Sequence, residues 1–202
     1  MIDQFQKGQL CCRSAVAAAV SLLMCSCATL DVPVDPPRFK PDEMLRTSAS
    51  GVELGVKPIQ GRDSYWSLFN DNLPEAGIGA IWVAIKNVTD NEIDFSKVRW
   101  VLRRGTTDRL PLDGDQVFKL YYRARHIRMY GIETDRQAKR ALDRIRFQPG
   151  LMPPSAVREG FLFFRVAPRS ALDWSGTLSA DNIRFKDGRT SSLQVLLAYA
   201  NP

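Results

Sequence analysis

The chain has 202 residues, a formal net charge of +6, 45% hydrophobic and 25% charged residues, four cysteines and one histidine. That balance is globular rather than disordered, and the length suffices for one ordinary domain with a real core. A single histidine excludes histidine metal clusters, and cysteines confined to Cys11, Cys12, Cys25 and Cys27 leave the rest of the chain without disulfides, thiolate metal sites or cysteine nucleophiles.

Lys7 and Arg13 precede an apolar run from Ala15 to Met24. The run is too short to span a bilayer, which takes ~20 residues, and has the length of a secretory h-region. It ends in Met24-Cys25-Ser26-Cys27, which is similar to the lipobox of bacterial lipoproteins, with Ser26 as the small residue before the acylated cysteine. Leu22-Leu23-Met24-Cys25 has the preferred leucine but sets bulky Met24 where a small residue belongs, so Cys27 is favoured over Cys25. The competing reading is a buried N-terminal helix with incidental cysteines. The resemblance implies that residues 1–27 are a signal peptide and that lipid is attached at Cys27. At ~0.8 kcal/mol per buried methylene, more than one acyl chain makes a lasting anchor. Under the sorting rule of enterobacterial lipoproteins, Ala28 in place of aspartate implies the outer membrane, facing the periplasm.

Residues 28–50 read as a tether. Pro33, Pro36, Pro37 and Pro41 stand among Asp31, Asp35, Arg38, Lys40 and Asp42 with few large apolar side chains. Proline at that density favours extended polyproline II at ~3.1 Å per residue, although a flexible leader of no set length fits the same composition. The folded domain is expected over 51–202.

Val52, Leu54 and Val56 alternate with smaller or polar residues up to Pro58, a strand period. Asp63 to Leu73 brings Tyr65, Trp66, Leu68 and Phe69 as an irregular cap over a core edge. Gly77 to Val88 is the clearest strand. After the polar turn Thr89 to Glu92, Lys97 to Arg103 is expected to pair with it, Val98, Trp100 and Leu102 facing inward. Asn87-Val88-Thr89 matches a glycosylation acceptor, but here it reads as turn chemistry.

The period then becomes helical. Val117, Leu120, Tyr121, Ala124 and Ile127 form a stripe that Asp113 can cap and Gly131 can stop. Thr134 to Gln137 has the spacing of a capping box, followed by Ala138, Ala141, Leu142 and Ile145 and ended by Pro149-Gly150. Strands resume at Val157 to Val166, so apolar from Gly160 to Phe164 that both faces should be covered. Trp174 to Phe185 and Ser191 to Tyr199 are joined by Lys186-Asp187-Gly188-Arg189, where Asp-Gly predicts a hairpin with positive φ at both turn positions. The sum is a mainly β, antiparallel two-layer sandwich with a two-helix insertion at about 113–148.

On the segments Ile85 to Ile93 (IKNVTDNEI), Pro153 to Phe164 (PPSAVREGFLFF) and the closing Asp-Gly hairpin, residues 50–200 resemble bacterial envelope domains with an immunoglobulin-like fold. Such a resemblance implies a domain that binds or scaffolds and carries no activity across.

No catalytic or cofactor motif is visible. His126 lacks a serine elbow, and no pair of carboxylates is singled out for glycosidase chemistry. No metal, cofactor or nucleic acid is expected. The informative feature is charge: between Asp113 and Gln148, nine cations stand against five acids, a net +4. Either this is a solvated helical face, or it docks an anionic partner through Lys119, Arg123, Arg125, Arg128, Arg136, Lys139 and Arg140, with Tyr121 and Tyr122 among them. The expectation is a lipid-anchored, non-catalytic adaptor or accessory subunit of an envelope complex. The alternative is a binder of anionic envelope polymer or lipid headgroups.

Overall fold

Two strands with large apolar side chains on both faces organise the molecule, because each face must be covered by a different layer. The computed structural model describes residues 37–126, 132–168 and 174–197. A first sheet runs β1 (Leu45–Ala49), β2 (Val52–Pro58), β3 (Ile78–Asn87) and β8 (Val157–Arg165), all antiparallel neighbours in that order. A second sheet centres on β9 (Gly176–Phe185). One edge of β9 carries β4 (Ile93–Asp94) and β5 (Arg99–Arg104); the other carries β10 (Thr190–Leu197). The short strands β6 (Thr107–Arg109) and β7 (Leu151–Met152) lie outside β5 and β4.

The sheets face each other over one core: Val52, Leu54, Val56, Ile81, Val83, Ile85, Leu162 and Phe164 against Trp100, Leu102, Leu178, Ile183, Leu193 and Val195. The opposite face of the first sheet presents Ile78, Ala80, Trp82, Phe161 and Phe163 to a helical layer. That layer comprises α1 (Arg62–Phe69), α2 (Gly114–Ala124) and α3 (Ile132–Ile145). Tyr65 and Phe69, Val117 and Tyr121, and Leu142 and Ile145 are the inward residues of the three helices. The apolar run Gly160 to Phe164 is therefore covered on both faces, as its sequence requires.

The insertion is sewn to one strand. The Leu112 amide donates to the Phe163 carbonyl at 2.7 Å and the Phe147 amide to the Phe161 carbonyl at 3.0 Å, so the chain leaves for the helices and returns two residues apart on β8. These bonds also occupy an edge that would otherwise expose unpaired backbone. A glycine lets the return pass: a Cβ at Gly160 would lie 2.4 Å from the Phe147 nitrogen. Asp113 caps α2 in a reciprocal box, accepting from the Gln116 amide at 2.7 Å while its own amide donates to Gln116 Oε1 at 2.9 Å.

The mainly β, sandwich-like architecture agrees with the sequence reading, and several local expectations are corrected. The two strands around Thr89 to Glu92 do not pair: β3 lies in the first sheet and β5 in the second, because this connection crosses between sheets. Asn87, fully buried, fixes the crossing. Its amide nitrogen contacts the carbonyls of Asn91 (2.7 Å), Met152 (3.2 Å) and Pro153 (3.1 Å), and its oxygen accepts from the Thr89 amide (2.9 Å) and hydroxyl (2.7 Å). Folded structure also begins earlier than position 51, since β1 pairs with β2 and Phe39 packs edge-on to Trp82 at 5.6 Å. The irregular cap at Asp63 to Leu73 contains the regular helix α1, ended by Asn70 at φ 49°. Helix α3 starts at Ile132, which puts Thr134 inside it rather than at its cap. In the closing hairpin only Gly188 has positive φ (85°), while Asp187 accepts from the Arg189 amide at 3.0 Å; this is a turn with a glycine bulge. The signal-like stretch, residues 28–36 of the tether, Gly131 and Tyr199 lie outside the described residues.

Three substitutions test this account by urea unfolding. Gly160→Ala should lose about 2–3 kcal/mol, because backbone rather than a side-chain tip must yield. Asn87→Ala should lose about 2–3 kcal/mol by stranding buried carbonyls. Asn87→Asp, which keeps the acceptor and loses the donors, should do no better.

Candidate functional site

The helical layer divides its side chains cleanly. Helix α2 buries Val117, Phe118, Tyr121 and Tyr122 and exposes Lys119 and Arg123, one turn apart. Helix α3 buries Ala138, Leu142 and Ile145 and exposes Arg136, Arg140 and Arg144, again one turn apart. Residues four apart lie over one another on a helix, so each set forms a row along its helix.

The expected binding residues separate into three groups. Lys119, Arg123, Arg136 and Arg140 are on the surface. Arg125 and Lys139 are partly buried in ion pairs. The Arg125 guanidinium bonds Asp71 and reaches Glu75 at 3.6 Å; Lys139 lies 2.8 Å from Asp115 and 5.3 Å from the centre of the Phe118 ring. Tyr121 and Tyr122 do not stand among the arginines as surface contacts. They are only 1% and 8% exposed, because the stripe they belong to faces the sheet. Arg128 lies outside the described residues. His126 is exposed just past the end of α2, at φ 54°.

The cations split by electrostatic circumstance. The Lys139 ammonium holds the Asp115 carboxyl below its ordinary value, and Arg146 pairs with Asp143 at 3.2 Å. Asp113 is used as a cap. Lys119, Arg123, Arg140 and Arg144 hold no ion pair among the described residues, so the rows they form present positive charge.

Two features of the layer were not legible in the sequence. Asp71, in the segment read as an irregular cap, is buried and accepts from the Tyr121 hydroxyl, the Arg125 guanidinium and the Asn72 amide at 2.6 Å, joining the turn after α1 to the end of α2. Trp66, assigned to a core cap, is 41% exposed on α1, with the Arg62 guanidinium 6.0 Å from its ring centre. Neither could be found by spacing, since Asp71 and Tyr121 are fifty positions apart.

A concavity of about 520 Å³ lies where the helices stop covering the first sheet. Register sets Arg46, Gly55, Ala84 and Glu159 in one row across its four strands, small residues in the middle and opposite charges at the ends. Met44 leans over Gly55, its sulfur 2.8 Å from where a Cβ there would lie. Among the described residues, no group of three or more histidine, cysteine or carboxylate side chains is placed to hold a metal. Nor is any helix among them long and apolar enough to cross a membrane.

The class defined by these observations is a mainly β protein of two face-to-face antiparallel sheets with a basic helical layer. No family model matches the chain, and no curated protein matches it. Among solved structures it is similar to a candidate lipoprotein (ycdA) from Bacillus subtilis subsp. subtilis str. 168, at 12% identity and a TM-score of 0.37, over 76% of this chain and 38% of that one. It is also similar to a functionally unknown protein from Listeria monocytogenes EGD-e, at 10% identity and a TM-score of 0.41, over 84% and 89% of the two chains. The chain thus spans well under half of the ycdA protein, and likenesses of this size carry neither fold nor function across.

Burial makes a prediction for alkaline pH. Tyr65 and Tyr121 are pushed above the ordinary tyrosine value of 10.0 by desolvation, and Asp71 raises Tyr121 further. A raised folded-state value means the stabilisation is full below about pH 10 and is lost as pH climbs above it, where the unfolded chain releases these protons first. Stability measured by denaturant should therefore hold through neutral pH and fall above pH ~10. Tyr121→Phe should shallow that fall.

Proposed function

We propose that the chain is a lipid-anchored protein of the bacterial cell envelope, acylated at Cys27, whose immunoglobulin-like sandwich acts without chemistry as an adaptor or accessory subunit. The helical layer docks on an anionic partner, and Ala28 directs the protein to the outer membrane, facing the periplasm. One observation carries the docking reading: Lys119, Arg123, Arg140 and Arg144 stand in exposed rows without ion pairs among the described residues, while the described carboxylates Asp113, Asp115 and Asp143 beside them are already engaged. Exposed cations of this kind contribute little to folding and are available to an external charge. The same rows support a second reading, a binder of anionic envelope polymer or lipid headgroups.

Mass spectrometry of the protein extracted from membranes should find acyl chains on an N-terminal Cys27, and Cys27→Ser should abolish processing. An unmodified N-terminus in the soluble cytosolic fraction overturns the anchor. Crosslinking in intact cells should capture a defined partner that Lys119→Glu/Arg123→Glu/Arg140→Glu no longer captures. Capture insensitive to that reversal removes the helical layer from the docking role.

A further inference from the structure

We infer that the anionic partner of the helical layer is the phospholipid surface of the bilayer that holds the anchor, so that the domain lies helices-down on the membrane and turns its second sheet away from it. This rests on the lipid-anchor reading above and names the partner of the same face. Three observations converge on it.

The first is where the chain joins the fold. Phe39 packs against Trp82 on the helical side of the first sheet, with the Lys57 ammonium 4.5 Å from its ring centre. A leash reaching Pro37 from a lipid at Cys27 therefore arrives on the helical side, and pulls that side toward the bilayer.

The second is the form of the charge. Lys119 and Arg123 on α2, and Arg136, Arg140 and Arg144 on α3, are long side chains repeated one turn apart on a packed layer. None of them lines the concavity on the first sheet. A row of exposed cations suits a plane of phosphates, where each adds about fivefold to partitioning, ~1 kcal/mol per residue near an anionic surface.

The third is Trp66. The chain has four tryptophans, and Trp82, Trp100 and Trp174 are buried, whereas Trp66 is exposed on α1 beside Arg62. An indole with an apolar body and a polar N–H settles at the level of lipid headgroups, and the neighbouring guanidinium meets phosphate there. An acidic protein face would account for the rows. It would leave unexplained why the chain joins the fold on the same side.

Because only Trp66 is accessible, acrylamide quenching reads its surroundings directly. The processed protein is held by its own lipid in vesicles of phosphatidylcholine alone, or of phosphatidylcholine mixed with phosphatidylglycerol. The quenching constant of the exposed tryptophan should fall about threefold in the anionic vesicles only, and recover at high salt. Lys119→Glu/Arg123→Glu/Arg140→Glu/Arg144→Glu, with an unchanged circular dichroism spectrum, should remain fully quenched in both. If Cys27 proves unmodified, co-sedimentation of the protein with the same two vesicle types replaces quenching, so the lipid surface is tested whatever becomes of the anchor. Equal behaviour in neutral and anionic vesicles overturns the inference. If crosslinking then still captures a partner in a charge-dependent way, the docking reading survives with a protein in place of lipid; if it does not, both fall.

Discussion

The outer face of β3 and β8 is the constraint on which the structure depends. Ile78, Ala80, Trp82, Phe161 and Phe163 are too large and too apolar to face water, while the same strands already bury Ile81, Val83, Leu162 and Phe164 in the sandwich. At about 25 cal/mol per Å² of apolar surface, leaving one face of two strands uncovered would forfeit more than the net stability of an ordinary domain. The helices are thus a third layer of the fold and not an ornament on a two-layer one. Their aromatic contacts say the same: Phe69 lies 5.1 Å from Phe161 and 6.0 Å from Phe163, and Trp82 meets Phe161 edge-on at 4.7 Å.

The layer is held by polar connections at its rim as well as by this apolar interior. Asp71 gathers Tyr121 and Arg125 where α2 ends, and Leu112 and Phe147 fasten both ends of the insertion to β8. These connections use up Arg125, while Lys139 and Arg146 are used in pairs along the helices. Among the described residues of α2 and α3, the charged side chains left outside such pairs and caps are cations. The docking proposal rests on that subtraction, which separates cations that the fold employs from cations that it does not.

Periodicity and turn chemistry carried the elements well. The strands at Val52 to Pro58, Gly77 to Val88 and Gly160 to Phe164, the cap at Asp113 and the hairpin at Gly188 were legible because each is a local matter of alternation, capping or backbone φ. Pairing was less legible. The crossing after β3 looks like a hairpin in composition, and the feature that prevents one, the bonding of Asn87 to Met152 and Pro153, joins residues far apart in the chain. Helical spacing put Tyr121 on the inward stripe with Leu120 and Ala124, but the helix is turned so that Phe118 and Tyr122 are buried beside Tyr121 while Ala124 is exposed. The same limit hid β1, whose alternation of Leu45, Thr47 and Ala49 is weak and becomes a strand only beside β2.

The division of labour along each helix has a consequence for how such a chain changes over generations. On α2 and α3 the residues that hold the fold and those that meet the outside occupy different positions of the same turn, and the insertion's two ends are fixed to backbone rather than to side chains. Mutation can therefore rewrite the outer rows, even reversing their sign, while selection on Val117, Tyr121, Leu142 and Ile145 keeps the scaffold intact. A protein built this way can acquire a new neighbour without first becoming unstable.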